Sequence, residues 1–286
     1  MNTGQWLDKA VLYLTKQGAP EPRASAEFIM ASALKVGRSA LAVHASRVPT
    51  DRQRKHFWNL VRQRGCREPL AYLLGTQPFM GLEIEVAPSA LIPRPETEEL
   101  VASAVALLKP RASEPLNILE LGTGTGCIAV ALAVSLPKAA VYATDISGAA
   151  LKLAMKNALT HHVEGRLRLI QEDLFSEGAL FRGWADLVIS NPPYIPTAEI
   201  DRLEPEVLKE PRVALDGGKD GLKALRAIIA AAPRYLKPGG WLALEIAWDQ
   251  KDSVTALIEK AGFLDCRVKK DLQGHDRIAV ARLKTL

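Results

Sequence analysis

Three closely spaced glycines separate two apolar runs at residues 117–131, in the order strand, tight turn, helix. Because glycine has no Cβ, Gly122, Gly124 and Gly126 allow the backbone to turn sharply and to approach a bound ligand. The dinucleotide-binding fingerprint has the spacing G-x-G-x-x-G, but here the third glycine comes one residue early and Cys127 stands at the fingerprint's last position. The spacing disfavours a pyrophosphate site and predicts a different ligand at the carboxyl end of the first strand of an α/β sheet. A purely structural glycine turn is the alternative.

The chain after this turn alternates short apolar runs with helical patterns. Such alternation predicts a mostly parallel, doubly wound sheet with helices on both faces. The last two strands, 264–269 and 277–283, are joined by a short polar turn, which predicts an antiparallel hairpin at the sheet edge. The other predicted strands are 117–121, 140–144, 167–170, 187–190 and 241–246, and the predicted helices are 128–135, 149–160, 222–235 and 252–261.

The first 70 residues have helical rather than strand periodicity. Apolar residues recur at helical spacing from Trp6 to Leu14, a second helix is predicted over 23–35, and Thr50 is a candidate cap for a third helix that reaches Arg64. Alternating residues after position 77 predict a strand in a hairpin. The predicted organisation is a helical domain at 1–72, a β-hairpin linker at 73–93 and an α/β domain at 94–286.

Composition narrows the class of protein further. Hydrophobic residues make up 48% of the chain and charged residues 24%, which is typical of a globular core. No apolar run approaches the roughly 18 residues of a membrane span, and the first residues lack the regions of a signal peptide, so we expect a cytoplasmic protein without a membrane partner. We also expect a monomer. The cysteines lie far apart, in no metal-ligand or disulfide pattern, and we expect no metal: Cys66, Cys127 and Cys266.

Positive charge is concentrated in one predicted helix and its flanks. The net charge is +5 and the pI about 9.1, and within 47–67 the only acidic residue is Asp51. This run is either a solvated helix face or a contact surface for an acidic partner, and the solvated face is the slightly better interpretation. Its basic residues are Arg47, Arg52, Arg54, Lys55, Arg62, Arg64 and Arg67.

The spacing G-x-G-x-G at 122–126 resembles the first motif of class I methyltransferases, whose loop wraps the amino-acid end of S-adenosylmethionine. Asp145 ends the second predicted strand, where an acidic side chain accepts hydrogen bonds from ribose hydroxyls; a helix cap is the alternative. Asp173 and Leu174 follow the third strand, where this class of enzyme holds the adenine, although a simple turn would also explain Asp173. The predicted cofactor-binding residues are Gly122, Thr123, Gly124, Thr125, Gly126, Asp145, Asp173, Leu174 and Asn191.

The tetrapeptide Asn-Pro-Pro-Tyr at 191–194 ends the fourth predicted strand. Two prolines stop the strand and remove backbone donors, which leaves the side-chain oxygen of Asn191 and the carbonyl of Pro192 as acceptors beside the ring of Tyr194. A planar NH2 group has a delocalised lone pair and is a poor nucleophile, and two acceptors would orient it and favour the positive charge of its attack on a methyl group. We predict that Asn191, Pro192 and Tyr194 are catalytic. We predict that these three residues and Pro193 bind the substrate.

Segments across nearly the whole chain resemble the HemK/PrmC family, the peptide-chain-release-factor glutamine N(5)-methyltransferases. Besides the glycine turn, Asp145 and the tetrapeptide, they are REPLAYLLG (67–75), FMGLEIEV (79–86), LIPRPETEELV (91–101) and EPRVALDGGKDGL (210–222). The run PRPETE discriminates this family from a sister family that modifies a large-subunit ribosomal protein. Some members have Trp at the position of Leu174, where a leucine can also pack on adenine.

The resemblance implies a class I methyltransferase fold: a Rossmann-like, mostly parallel sheet with one antiparallel edge strand, preceded by a small helical domain that helps to recognise the substrate. It implies S-adenosylmethionine as cofactor and the glutamine of the Gly-Gly-Gln loop of class 1 release factors as substrate. In that case residues 122–126, Asp145 and Asn191 would bind the cofactor, and 191–194 would hold the glutamine.

Other activities remain open for this pattern. An adenine-specific DNA or RNA methyltransferase would use the same tetrapeptide and stack a flipped base on Tyr194, although the chain has no evident target-recognition domain and we expect no stable nucleic-acid partner. A glutamine methyltransferase of a ribosomal protein and a catalytically idle scaffold are the remaining alternatives. The long segment 195–221 is a candidate lid over the substrate.

Overall fold

The computed structural model describes residues 1–175 and 182–285. The chain has two compact units: the first comprises Met1–Thr76 and Glu204–Lys209, and the second comprises Gln77–Leu203 and Glu210–Leu286. This division differs from the predicted domains because a short segment from late in the chain belongs to the helical unit. In the described parts of the chain, no helix combines the length and apolar character needed to cross a bilayer.

Four helices form the first unit: α1 (Thr3–Lys16), α2 (Pro22–Leu34), α3 (Asp51–Gly65) and α4 (Leu70–Leu74). Both α1 and α3 begin with capping boxes, in which Asn2 and Thr50 accept from the third helical residue while the Gln side chain there accepts from the cap backbone. The predicted cap at Thr50 is therefore confirmed. The core of this unit is built from residues at helical spacing, including Ala10, Leu14, Ala26, Ile29, Phe57 and Val61.

A buried ion pair holds the segment 204–209 within the first unit. The side chain of Arg64 is only 5% exposed and donates to Glu206 Oε1 at 2.7 Å, while Arg67 donates to both oxygens of Glu206 at 2.6 Å. Lys209 also contacts Glu68 at 2.8 Å. Arg64 is thus buried and Arg67 partly buried in ion pairs, which the sequence did not indicate. The exposed members of the basic run are Arg47, Arg52, Lys55 and Arg62, and their contact with an acidic partner stays a prediction.

The second unit is organised around a sheet whose seven described strands have the order β5-β4-β3-β6-β7-β9-β8. Five neighbouring strands are parallel, and the expected mostly parallel, Rossmann-like sheet is confirmed. The closing hairpin of β8 and β9 is also present. β9 is antiparallel to its neighbour β7 and lies inside the sheet, while β8 forms the edge. The strands are β3 (Leu116–Leu121), β4 (Ala139–Asp145), β5 (Leu167–Gln171), β6 (Ala185–Ser190), β7 (Leu236–Glu245), β8 (Phe263–Lys270) and β9 (Asp276–Leu283).

Apolar clusters cover both faces of this sheet, as the alternating pattern predicts. The helices beside it are α5 (Pro95–Leu108), α6 (Cys127–Ser135), α7 (Gly148–Thr160), α8 (Lys223–Ala231) and α9 (Lys251–Lys260). The predicted helix 222–235 is α-helical only to Ala231 and continues as a 3-10 turn over Ala232–Arg234, because Pro233 cannot donate to the helical ladder.

The predicted hairpin is present as β1 (Thr76–Phe79) and β2 (Leu82–Glu85). Asn157 of α7 is fully buried; its Oδ1 accepts from the backbone of Glu85 at 2.7 Å, and its Nδ2 donates to the carbonyls of Glu85 and Thr125 at 3.0 and 2.9 Å. A single side chain therefore ties β2 to the glycine turn.

Candidate active site

A cavity of about 380 Å³ opens at the carboxyl ends of the parallel strands, within the size range of small-molecule sites. The register brings these ends together, because Leu121 pairs with both Thr144 and Ser190, and Asp145 pairs with Gln171. Nine predicted residues line the cavity: Gly122, Thr123, Gly124, Thr125, Asp145, Asp173, Leu174, Asn191 and Pro193. Three predicted residues do not line it: Gly126, Pro192 and Tyr194.

The glycine turn has the backbone conformation that its sequence requires. Gly122, Gly124 and Gly126 all have positive φ, at 71°, 56° and 79°, where other residues are strained. A Cβ on Gly126 would lie 2.8 Å from the Cβ of Ala154 in α7. Gly126 therefore allows the turn to pack closely on α7, and its predicted role as a direct cofactor contact is not supported.

Asp145 connects the turn to the next strand end. Its Oδ2 accepts from the backbone of Gly124 and its Oδ1 from that of Ser147, both at 2.8 Å. The N-cap of α7 is Ser147, whose hydroxyl accepts from Ala150, so the capping alternative for Asp145 is wrong. Each carboxylate oxygen retains acceptor capacity, and the half-buried side chain lines the cavity.

The third strand end contributes an acidic residue that sequence reasoning missed. Glu172 lines the cavity beside Asp173 and Leu174, and its Oε2 is buried with no hydrogen-bond partner among the described residues. A buried acceptor of this kind is normally satisfied, and a ligand hydroxyl or amino group in the cavity would do so. Leu174 is half-buried at φ 63°, and its carbonyl accepts from the Thr144 hydroxyl at 2.7 Å.

Asn191 lies at the end of a hydrogen-bonded chain of side chains. Its Nδ2 donates to Thr97 Oγ1 at 3.0 Å, and the Thr97 hydroxyl donates to Glu245 Oε2 at 2.7 Å. The Tyr194 hydroxyl donates to the other oxygen, Glu245 Oε1, at 3.1 Å. Because Nδ2 is engaged by Thr97, the Oδ1 of Asn191 is left as the free acceptor of this amide. Pro192 is buried.

Burial shifts the protonation equilibria of this region. Burial raises the pKa of Glu245 above its usual range, although hydrogen bonds from Thr97 and Tyr194 oppose the shift. Burial, followed by the charge of Glu245, raises the pKa of the Tyr194 phenol, so Tyr194 is a neutral donor at physiological pH. Burial also raises the pKa of the Cys127 thiol to about 12, so this thiol stays protonated and unreactive at physiological pH.

The segment after the tetrapeptide is tied to it by the backbone. Ile195 donates to Leu215 at 3.0 Å, and Gly217 donates to Ile195 at 2.8 Å. Gln250 Nε2 donates to the carbonyls of Tyr194 and Gly221 at 3.1 and 3.2 Å. A Cβ on Gly221 would lie 2.3 Å from the Tyr194 carbonyl oxygen, which explains the glycine. The lid predicted at 195–221 stays a prediction.

Glu210 joins two walls of the cavity. Its Oε2 accepts from the backbone of Ile92 at 2.9 Å, and its Oε1 accepts from Arg94. Ile92 and Arg94 line one side, and Pro211, the next residue after Glu210, lines another. No signal in a single sequence would have paired residues separated by more than a hundred positions.

These residues fit S-adenosylmethionine, which carries a cationic amino-acid arm, a ribose diol and an adenine. Acidic acceptors and a glycine turn line the cavity together with aliphatic side chains such as Ile128, Ile146 and Leu174. A cavity of this lining at the carboxyl ends of such a sheet defines a class I S-adenosylmethionine-dependent methyltransferase.

Comparison with known proteins narrows that class. Residues 5–75 match the model of the PrmC N-terminal domain, and residues 101–218 match the methyltransferase small domain. The release factor glutamine methyltransferase of Geobacter sulfurreducens is 42% identical over 95% of this chain and 93% of its own length. That of Moorella thermoacetica is 41% identical over 98% of both chains. The chain belongs to the release factor glutamine methyltransferase family.

The fold has a counterpart among solved structures. A crystal structure of a methyltransferase from Pyrococcus furiosus superposes with a TM-score of 0.52 at 22% identity, covering 72% of this chain and 90% of the other. At this identity the similarity supports the methyltransferase fold.

Proposed function

We propose that this chain transfers a methyl group from S-adenosylmethionine to the side-chain amide nitrogen of the glutamine in the Gly-Gly-Gln loop of class 1 peptide chain release factors. The observation that carries the proposal is the orientation of Asn191, whose Nδ2 is held by Thr97 at 3.0 Å so that Oδ1 remains an acceptor beside the cavity. The names of the curated relatives, release factor glutamine methyltransferase, support the same substrate.

The chemistry requires little beyond orientation and electrostatic stabilisation. A primary amide nitrogen is planar and its lone pair is delocalised, so the ground state is a poor nucleophile. Asn191 Oδ1 and the Pro192 carbonyl would accept the two N–H groups, fix the direction of the nitrogen and stabilise the positive charge that develops on it. Tyr194, held by Glu245 at 3.1 Å, would limit the space around the amide. The bound cofactor would supply an electrophilic methyl group on sulfur; as the N–C bond forms and the S–C bond breaks, the amide nitrogen would release one proton to water.

The cofactor would be held by the residues that line the cavity. Asp145, which already accepts from two backbone N–H groups, would accept from the ribose hydroxyls. Leu174 would pack on the adenine, with Asp173 or Glu172 accepting from its amino group. The backbone of 122–125 would follow the amino-acid arm.

The test is transfer of labelled methyl followed by peptide mass spectrometry. The purified chain is incubated with methyl-labelled S-adenosylmethionine and a class 1 release factor, and the modified peptide is fragmented. We expect one methyl group on the glutamine of Gly-Gly-Gln and none when that glutamine is replaced by alanine. Label on another residue, or no label while cofactor binding is measurable by calorimetry, would refute the proposed substrate.

Two further expectations follow from this substrate. Release factors act in translation termination, so we propose that the enzyme works in the cytoplasm. We also propose that the enzyme is a monomer; light scattering coupled to gel filtration would test this prediction.

A further inference from the structure

We propose that Thr97 and Glu245 are positioning residues, which together fix the amide of Asn191 and the ring of Tyr194 in the orientations that methyl transfer requires. The inference rests on the proposed function for its kinetic consequence, but its structural part concerns only side chains of this chain. Neither residue belongs to the sequence-predicted site.

The direction of each hydrogen bond carries the assignment. In its ionised form Glu245 can only accept, so the contact of 2.7 Å to Glu245 Oε2 uses the single hydroxyl proton of Thr97. Thr97 Oγ1 then has only lone pairs for its contact with Asn191 at 3.0 Å. The amide must therefore present Nδ2 to Thr97 and Oδ1 elsewhere, because a flipped amide would place two acceptors against each other.

The same carboxylate orients the aromatic ring. The Tyr194 hydroxyl donates to Glu245 Oε1 at 3.1 Å, so both oxygens of Glu245 are occupied by hydroxyl donors. Thr97 and Glu245 are 2% and 1% exposed, which protects the hydrogen bonds from competition with water.

Within the part of the chain that the structure describes, Glu245 and Glu120 are buried carboxyls of the second unit that have hydroxyl donors and no ion pair, in contrast to Asp186 and Asp271. Asp186 contacts Arg111 and Lys237, and Asp271 contacts Arg277. Among the described residues no ion pair within 4 Å includes Glu245; the hydrogen bonds from Thr97 and Tyr194 and the more distant charge of Arg277 favour its ionised form. A buried carboxyl without a paired cation is costly, and its two hydroxyl contacts lead to the two polar side chains of the predicted catalytic turn.

A matched pair of substitutions tests the role of Thr97. Thr97→Val keeps the shape and removes the hydroxyl, whereas Thr97→Ser keeps the hydroxyl. We expect Thr97→Val to lower kcat about 100-fold, since misplacement of a reacting group has effects of this order, while the dissociation constant for S-adenosylhomocysteine changes less than about threefold. Thr97→Ser should restore most of kcat. Ser103→Ala, which removes another buried hydroxyl from the same helix, should leave kcat unchanged.

A spectroscopic measurement reads the orientation without any methyl transfer. The chain has five asparagines, so asparagine-selective 15N labelling gives five side-chain amide pairs, and Asn191→Ala identifies the pair of interest. In the unmodified protein we expect one Nδ2 proton of Asn191 to have the low temperature coefficient of a hydrogen-bonded proton. This signature should disappear in Thr97→Val and persist in Thr97→Ser.

Glu245→Gln provides a second perturbation. Its side-chain amide has one acceptor in place of two, so either Thr97 or Tyr194 loses its acceptor, and kcat should fall at least 10-fold with the melting temperature of the variant checked first. The inference is overturned if the Asn191 amide has no protected proton in the unmodified protein, or if Thr97→Val and Thr97→Ser have equal kcat. If the release factor is not methylated at all, the proposed substrate fails while the amide signature still decides the orientation.

Discussion

Replacement of Asn191 by alanine removes the acceptor that is proposed to hold the substrate amide. Among the described residues the Asn191 side chain makes one hydrogen bond, from Nδ2 to Thr97 at 3.0 Å, and it is only half-buried. The loss of one neutral hydrogen bond costs about 0.5–1.5 kcal/mol, so the variant should fold and its melting temperature should fall by only a few degrees.

The effect on the reaction should be much larger than the effect on folding. Removing one preorganised polar group that stabilises developing charge lowers kcat by about 10²–10³-fold, or about 3–4 kcal/mol. In the ground state the same oxygen would contribute no more than an ordinary hydrogen bond, so KM for the release factor should rise by less than about 10-fold. Cofactor affinity should change least, because the glycine turn and Asp145 remain.

Single-turnover transfer of labelled methyl measures the effect on the reaction. Calorimetry measures cofactor affinity separately. Asn59→Ala, on the exposed side of α3, is the control and should behave as the unmodified protein. The acceptor mechanism is refuted if Asn191→Ala keeps more than about a third of kcat, or if cofactor affinity falls as strongly as kcat.

Three other substitutions have defined outcomes. Glu206→Gln leaves Arg64 buried without its charge partner and should lower the free energy of unfolding by about 3–5 kcal/mol in urea titrations. Burial alone would raise the pKa of Glu206, but Arg67 and Arg64 outweigh burial and lower that pKa. The stability advantage of the unmodified protein over Glu206→Gln should therefore vanish as the pH falls below about 4.5. Burial raises the pKa of Glu120 from 4.5 to about 8, so the stability associated with its protonated form is lost as the pH rises between these values. The melting temperature of Glu120→Gln should therefore rise relative to that of the unmodified protein from pH 5 to pH 8.5. A difference that stays constant over this range would contradict the raised pKa of Glu120. Gly221→Ala places a Cβ 2.3 Å from the Tyr194 carbonyl at φ 72°, so we expect kcat and melting temperature to fall together, whereas Gly262→Ala, at φ 85° in open space, should affect stability alone.

The strands and the helices of the α/β unit follow from periodicity because their apolar faces are local in sequence. β7 is the exception at its start: it begins at Leu236, five residues before the predicted start at 241, because Pro238, Gly239 and Gly240 indicate a turn. The structure accommodates them with a register irregularity between the pairs Ala185/Leu236 and Leu187/Trp241. β6 begins before its predicted start at 187 because it includes Asp186, a charged residue that the apolar pattern left outside the strand. Lys237 and Arg111 neutralise the charge of Asp186.

The cofactor side of the site was predictable because turn chemistry and strand ends are also local signals. The side chains that orient Asn191 were not predictable, because they are distant in sequence. Thr97 precedes Asn191 by 94 positions, and Glu245 follows Thr97 by 148 positions. In the sequence, Thr97 reads as an ordinary residue in the first turn of a helix and Glu245 as one acidic residue within an apolar strand. The same reason applies to Glu206, whose partners Arg64 and Arg67 precede it by about 140 residues.

The assignment of the release-factor glutamine as substrate is tested most directly by competition between two methyl acceptors in one reaction, a glutamine amide and an adenine amino group. The chain is given methyl-labelled S-adenosylmethionine with equal concentrations of a class 1 release factor and an adenine-rich DNA, and the protein and nucleic-acid fractions are counted separately. We expect label in the release factor alone, on a single glutamine, and none with Asn191→Ala. Label in the DNA fraction, or label in the release factor that persists in Asn191→Ala, would contradict the assignment.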